Sequence, residues 1–421
     1  MLALAPLPVR QRQLANGLQV LAVADTRAAT VAVQMWYRVG GKNDPPGRSG
    51  FAHLFEHMMF KRTRHLASEA FDRLTEDVGG QNNAYTSEDL TVYQNEVPPN
   101  HLERLLWAEA ERLSNLQVEQ THFDSERSVV KEEFRQGVLA DPYGRLFHAL
   151  PTLNYERHPY RRPVIGNIDD LNRATLAEVR AFHATWYRCD NATLVVAGDF
   201  EPAQLDVWVD RYFAGLARPG TALPRLAMTE PRRRADKRVS LRAPNVPLPA
   251  VALLWQGPAL THRDAAALRV ASALLSAGES SRMNEALVYR QQLAQTAGFA
   301  AELSADAGML VAYAIAAGKA SLANIERALL AEITRLARGP VTEAELDKVR
   351  TQLLTAALVR RQTPAGLAAA LGQALVLHGD VRQAERELPE LQAVTAADVS
   401  RVLQRYVLGT KRITVHYLKQ G

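Results

Sequence analysis

At 421 residues the chain is longer than one hydrophobic core usually grows, so two units of roughly 200 residues each are expected. Apolar residues make up 47% and charged residues 23%, which excludes a disordered, collagenous or disulfide-framed chain, and Cys189 alone can form no intramolecular disulfide. The 50 basic and 45 acidic side chains leave a net charge of +5 spread along the chain, so no nucleic-acid partner is expected. The densest basic run, Arg232 to Arg238, lies beside a Pro-rich stretch and reads as solvated linker. No apolar run approaches the roughly 20 residues of a bilayer span, and the opening MLALAPLPVR lacks a basic n-region and a long apolar core. The chain therefore reads as soluble, in the cytoplasm or periplasm.

Residues 17 to 38, NGLQVLAVADTRAATVAVQMWY, alternate apolar and polar positions around a polar break at Asp25 to Arg27, a hairpin signature. Helical periodicity follows over Phe51 to Lys61, His101 to Leu116 and Glu119 to Val138, and NATLVVAGDF at Asn191 to Phe200 reads as a strand. A Pro- and Arg-rich stretch then separates an N-terminal unit, residues 1–217, from a C-terminal unit, residues 241–421, with 218–240 as linker. The second unit repeats the order of the first. Strand-like AVALLWQG is followed by helical ALRVASALLSAG and RMNEALVYRQQ, strand-like GMLVAYAIAAG, and helical IERALLAEITRLARG. TEAELDKVRTQLLTAALVRR then takes the place of THFDSERSVVKEEFRQ. The expected class is α+β, two similar sandwiches of a mixed sheet covered by helices, facing each other across a hinge.

His53, Glu56 and His57 stand in FAHLFEHMMF. At about 100° per residue they fall within one arc of a helix whose other positions are apolar. Two imidazoles at i and i+4 can each aim a nitrogen at one cation, and zinc favours such ligands with a carboxylate. A carboxylate one residue before the second histidine sits beside the open metal position, where Glu56 can take a proton from water. This is the mirrored order of the H-E-x-x-H helix. The third ligand must come from elsewhere. In the helix Glu119 to Val138, Glu126 and Glu133 share a face and Glu132 is turned away, which favours Glu133 as ligand and Glu126 as the group that orients a ligand. A mixed N/O set also accepts Mn²⁺ or Co²⁺.

With these residues the chain resembles the pitrilysin-like M16 metallopeptidases, which include insulin-degrading enzymes and mitochondrial processing peptidases. HLFEH matches the family's H-x-x-E-H, and the separation of His57 from Glu133 is that of its short-chain members. GGQNNAYTSEDLTVY, HPYRRPVIG and WYRCDNATLVVAGDF are similar to its later landmarks. The resemblance implies one zinc ion per chain on His53, His57 and Glu133, Glu56 and Glu126 as catalytic residues, and a clamshell half that encloses peptide substrates. It also implies that Asn83, Ala84 and Tyr85 lie on an edge strand that binds substrate, and that Arg290 contacts substrate from the non-zinc half. Members that act alone follow this Arg with a Tyr; here Gln295 and Thr296 stand in its place. That departure points to a heterodimer with a zinc-less homologous chain, with a homodimer or a non-catalytic scaffold as alternatives.

Overall fold

The computed structural model describes residues 6–226 and 228–421. In the first half, strands β1 (Arg10–Gln13), β2 (Gln19–Ala24), β3 (Val31–Tyr37), β4 (Gln81–Thr86), β5 (Thr91–Val97) and β6 (Ala192–Gly198) form one sheet in the order β1-β2-β6-β3-β5-β4. Its helices are α1 (Phe51–Met58), α2 (Ala70–Glu76), α3 (Leu102–Asn115), α4 (Gln120–Phe134), α5 (Gly144–Asn154), α6 (Ile168–Arg173), α7 (Leu176–Trp186) and α8 (Pro202–Phe213). In the second half, β7 (Lys237–Ala243), β8 (Ala250–Gly257), β9 (Ala294–Leu303), β10 (Gly308–Ala316) and β11 (Ile413–Lys419) are ordered β7-β11-β8-β10-β9. They are joined by α9 (Ala265–Ser276), α10 (Leu322–Arg338), α11 (Glu343–Arg360), α12 (Pro364–His378), α13 (Gln383–Ala393) and α14 (Ala396–Leu403).

The two halves are copies of one unit. Pairing β2 with β7, β3 with β8, β4 with β9, β5 with β10 and β6 with β11 reproduces the strand order. It reproduces the polarities too, one parallel pair and three antiparallel pairs among the matched strands of each half, while β1, antiparallel to β2, has no counterpart. The expected hairpin over residues 17 to 38 does not form. β2 and β3 are both strands, but β6 lies between them, parallel to β2 and antiparallel to β3. The reason is burial: every residue of β6 and of β3 is buried, the mark of central strands covered on both faces, and a two-strand ribbon could not cover them.

One face of the first sheet packs on the first half's own helices, burying Val33, Met35, Leu54, Phe55, Leu106 and Phe182 among others. Its other face is covered by α12 from the second half, with Leu371 and Leu375 against Leu21, Trp36 and Val195. A Cβ at Gly372 would stand 2.2 Å from Trp36 Cε2, so the helix approaches the sheet this closely only with glycine there. The second sheet is treated in the same way. One face carries its own helices, and the other carries Leu146 and Leu150 of α5 with Tyr155 and Tyr160, all from the first half, against Ala252, Leu254 and Val415. The halves have exchanged a helix each and do not simply face each other across a hinge.

The stretch expected as solvated linker is also tied down. β7 begins within it, at Lys237, and the Arg233 guanidinium donates to the carbonyl oxygens of Leu254 at 3.0 Å and Asn154 at 3.0 Å. Among the described residues no helix is long and apolar enough to cross a membrane.

Candidate metal centre

α1 is held at its start by a buried carboxylate. Asp44 Oδ2 accepts from Gly50 N–H at 2.7 Å and Oδ1 from Ala52 N–H at 2.9 Å, which satisfies two donors at the helix N-terminus. Gly50 has φ 95°, a left-handed turn into the helix that suits glycine. Phe51, Ala52, Leu54, Phe55 and Met58 are buried, and Phe55 stacks on His183 at 5.0 Å and tilts against Tyr187 at 4.5 Å. The remaining arc presents His53, Glu56 and His57 to a cavity of about 450 Å³.

α4 meets that arc with two of its three candidate carboxylates. Glu133 Oε2 lies 3.7 Å from His53 Nε2 and 3.5 Å from His57 Nε2, and these three donor atoms all stand within 4.8 Å of one another. Glu126 Oε2 lies 3.5 Å from His57 Nδ1, and its other oxygen is 3.0 Å from Lys61 Nζ. Glu132 is turned outward to Arg135 at 3.1 Å and Gln136 at 3.2 Å. The distances fit a metal better than hydrogen bonds. N···O separations of 3.5 and 3.7 Å exceed the hydrogen-bond range. Ligands about 2.0–2.1 Å from a tetrahedral zinc ion stand roughly 3.3–3.4 Å apart. His53 Nδ1 is buried and has no hydrogen-bond partner among the described residues. Glu133, 3.7 Å from Nε2, is then the ring's nearest charged partner.

The protonation state of His53 suits ligation. Burial, with the neighbouring His57, pulls the His53 pKa down to about 4, so the ring is neutral at physiological pH. Burial acts downward on His57 as well, but the adjacent Glu126 carboxylate and the charges of Glu133 and Glu56 outweigh it and raise that pKa. Burial raises the Glu56 pKa against the opposing hydrogen bond from Thr86, whose Oγ1 donates to Glu56 Oε2 at 2.6 Å. Glu126 stays below the usual carboxylate range, because His57 and Lys61 overcome its burial.

β4 is an edge strand of its sheet, and Asn83 and Ala84 line the same cavity as the histidines. Tyr85 does not line it; it is 40% exposed and meets Trp36 edge-on at 6.4 Å. Arg290 is not part of this cavity either. Its side chain is 60% exposed, and its nearest ionic partner is Glu285 at 3.5 Å. Gln295 and Thr296 lie on β9, the counterpart of β4. Sequence reasoning missed Asp44, Lys61 and Thr86. Thr86 sits inside NNAYTS and was within reach of it; nothing local marks Asp44. Among the described residues, His53, His57 and Glu133 form the only group of three potential ligands, and α9, the counterpart of α1, carries neither histidine nor glutamate.

The family model described as Insulinase (Peptidase family M16) matches residues 19–167, and that described as Peptidase M16 inactive domain matches residues 173–353. A zinc protease of Helicobacter pylori is 30% identical over 404 residues, covering 96% of this chain and 91% of its own. A probable mitochondrial-processing peptidase subunit beta of Arabidopsis thaliana is 25% identical over 406 residues, 94% of this chain and 76% of its own. The crystal structure of a protease from Helicobacter pylori superposes with a TM-score of 0.93 at 29% identity, over 98% of this chain and 99% of that one. Tandem matches to both halves, and a relative alignable almost end to end, place the chain in peptidase family M16.

Proposed function

We propose that this chain is a zinc-dependent endopeptidase and the catalytic subunit of a heterodimer with a zinc-less homologue. One observation carries the reading: His53 Nε2, His57 Nε2 and Glu133 Oε2 converge at ligand spacing beside Glu56, on a cavity walled by an edge strand. The relatives named zinc protease and mitochondrial-processing peptidase subunit beta support it.

One zinc ion per chain would be held by His53, His57 and Glu133, with Glu126 orienting the His57 ring through Nδ1. When bound, zinc supplies a Lewis acid for the scissile carbonyl and lowers the pKa of water towards neutrality. Glu56, half-buried and held by Thr86, takes the proton of the attacking water and returns it to the departing amine. The free edge of β4 pairs with an extended peptide by main-chain hydrogen bonds, which supplies affinity with little demand on sequence. Tyr85 and Arg290 are assigned to substrate as well, Tyr85 at the outer face of β4 and Arg290 from the second half. Gln295 and Thr296 provide no phenol for the oxyanion, and a zinc-less partner would supply it.

Substituting Glu56→Gln keeps shape and metal but removes the proton acceptor. Zinc content should remain near one per chain while peptide hydrolysis falls by about 10²- to 10⁴-fold. Near-normal hydrolysis by the variant would overturn the role of Glu56. Full activity of the purified chain without a zinc-less homologue would overturn the heterodimer in favour of a homodimer.

A further inference from the structure

A cavity of about 640 Å³ in the second half shares no lining residue with the metal centre. One wall is the stretch leading into β7, and two residues fix it in place. The Glu230 carboxylate accepts the backbone N–H groups of Glu156 at 2.6 Å, Arg157 at 3.0 Å and His158 at 2.8 Å. Arg233 points inward, donating to the carbonyls of Leu254, Lys411 and Asn154 and to Asn154 Oδ1 at 3.0–3.2 Å, and its own N–H reaches Gln256 Oε1 at 3.0 Å. Arg232 and Arg234, on either side of it, are exposed and line the cavity together with Lys411.

The charge on this wall is not cancelled. Among the described residues the side chains of Arg232, Arg234 and Lys411 have no hydrogen-bond or ion-pair partner, and the Arg233 guanidinium is held only by neutral oxygens. The two acids that border the cavity are already engaged. Glu230 is satisfied by its three N–H donors, and Asp306 lies 3.0 Å from Lys42 and 3.6 Å from His158. A concave wall of fixed cations without counter-charges concentrates anions.

We propose that this cavity is a docking groove for an extended acidic peptide. Its volume is many times the roughly 30 Å³ share of a water molecule and lies in the range of sites that enclose several residues' worth of ligand. Arg232 and Arg234 are exposed on either side of half-buried Arg233, and the roughly 6.5 Å between alternate residues of extended chain is also the spacing of alternate side chains on an extended partner. Carboxylates at every second position would meet guanidinium groups, which bind them with two parallel hydrogen bonds. The groove would hold the acidic stretch of a polypeptide apart from the metal centre.

The test uses the full chain carrying Glu56→Gln, so that no probe can be hydrolysed, and a fluorescent peptide with Glu at every second position. Fluorescence anisotropy should show salt-sensitive binding that weakens roughly tenfold in the added Arg232→Gln, Arg234→Gln double variant. The matched Lys peptide should bind weakly. Because neither arginine side chain makes a hydrogen bond or ion pair with another described residue, melting temperature should be unchanged, which separates lost binding from lost fold. Equal affinity in the double variant, or equal affinity for the Lys peptide, would overturn the proposal. So would displacement of the Glu peptide by millimolar inorganic phosphate, which would make this a small-anion site.

Discussion

Glu56 has two carboxylate oxygens, and the fold treats them differently. Oε2 receives the hydroxyl proton of Thr86 at 2.6 Å, and Thr91, whose oxygen is 3.3 Å from that of Thr86, donates its own proton to Val39 O at 2.9 Å. The single Thr86 proton is therefore committed to Glu56, and Oε1 is left to exchange protons with water. Thr86 ends β4, the strand whose free edge is proposed to take substrate, so on that proposal peptide binding and orientation of Glu56 share one element. Thr86→Val keeps the volume and removes the donor. Turnover should fall about 10- to 100-fold with KM and zinc content retained, and Thr86→Ser should restore most of it. Steady-state kinetics with metal analysis reads this; an equal loss in the Ser variant, or a change confined to KM, would sink the role. At this scale the sequence was informative for His53, Glu56, His57, Glu126 and Glu133, because helix periodicity alone decides which side chains share a face. It was silent on Asp44, whose contact with α1 depends on how a loop docks.

Among elements, α1 illustrates how a buried charge is linked to pH. Asp44 is 3% exposed, and burial raises its pKa to about 7 despite the N–H donors of Gly50 and Ala52. The unfolded chain ionises this group near 3.8, so between about pH 4 and pH 7 the folded state binds more protons, and the group's contribution to stability declines as pH rises. Asp44→Asn does not titrate and can offer only one acceptor oxygen to the two donors, a loss of about 1–3 kcal/mol. The stability gap between wild type and variant should be larger near pH 5 than at pH 8 in chemical denaturation; a gap that widens with pH would contradict the linkage. α12 supplies a packing test. Gly372→Ala forces a methyl into the Trp36 ring and should cost about 1–3 kcal/mol, and Trp36→Phe should recover part of that in the double variant. Additive losses would show that the two do not meet. Individual elements were mostly legible from period and composition, but their neighbours were not. The alternation over residues 17 to 38 identified β2 and β3 correctly as strands, whereas the insertion of β6 between them depends on a segment far along the chain.

For the whole molecule, the exchange of α5 and α12 removes the freedom that a hinge would need. Pulling the halves apart would expose Leu146, Leu150, Tyr155 and Tyr160 on one side and Leu371, Leu375 and Trp36 on the other. At about 1.5–3 kcal/mol for each large apolar side chain, that is comparable to the whole 5–15 kcal/mol stability of an ordinary domain. A polar lock adds to it. Asp89 joins Lys42 at 2.8 Å, Tyr160 OH at 2.5 Å and the Ala305 N–H at 2.8 Å, linking residues of both halves. Opening between the two halves of one chain is therefore not expected to admit substrate to the metal centre. A protease site inserted in the exposed stretch between Arg218 and Leu226 tests this directly. After cleavage the two fragments should co-elute in native gel filtration and melt in one calorimetric transition, because each half still needs the other's helix to cover its sheet. Residues 228–421 expressed alone should be insoluble, with Ala252, Leu254 and Val415 uncovered. Fragments that separate without denaturant, or a second half that folds alone, would show that the exchanged helices contribute little and would return the hinge to consideration.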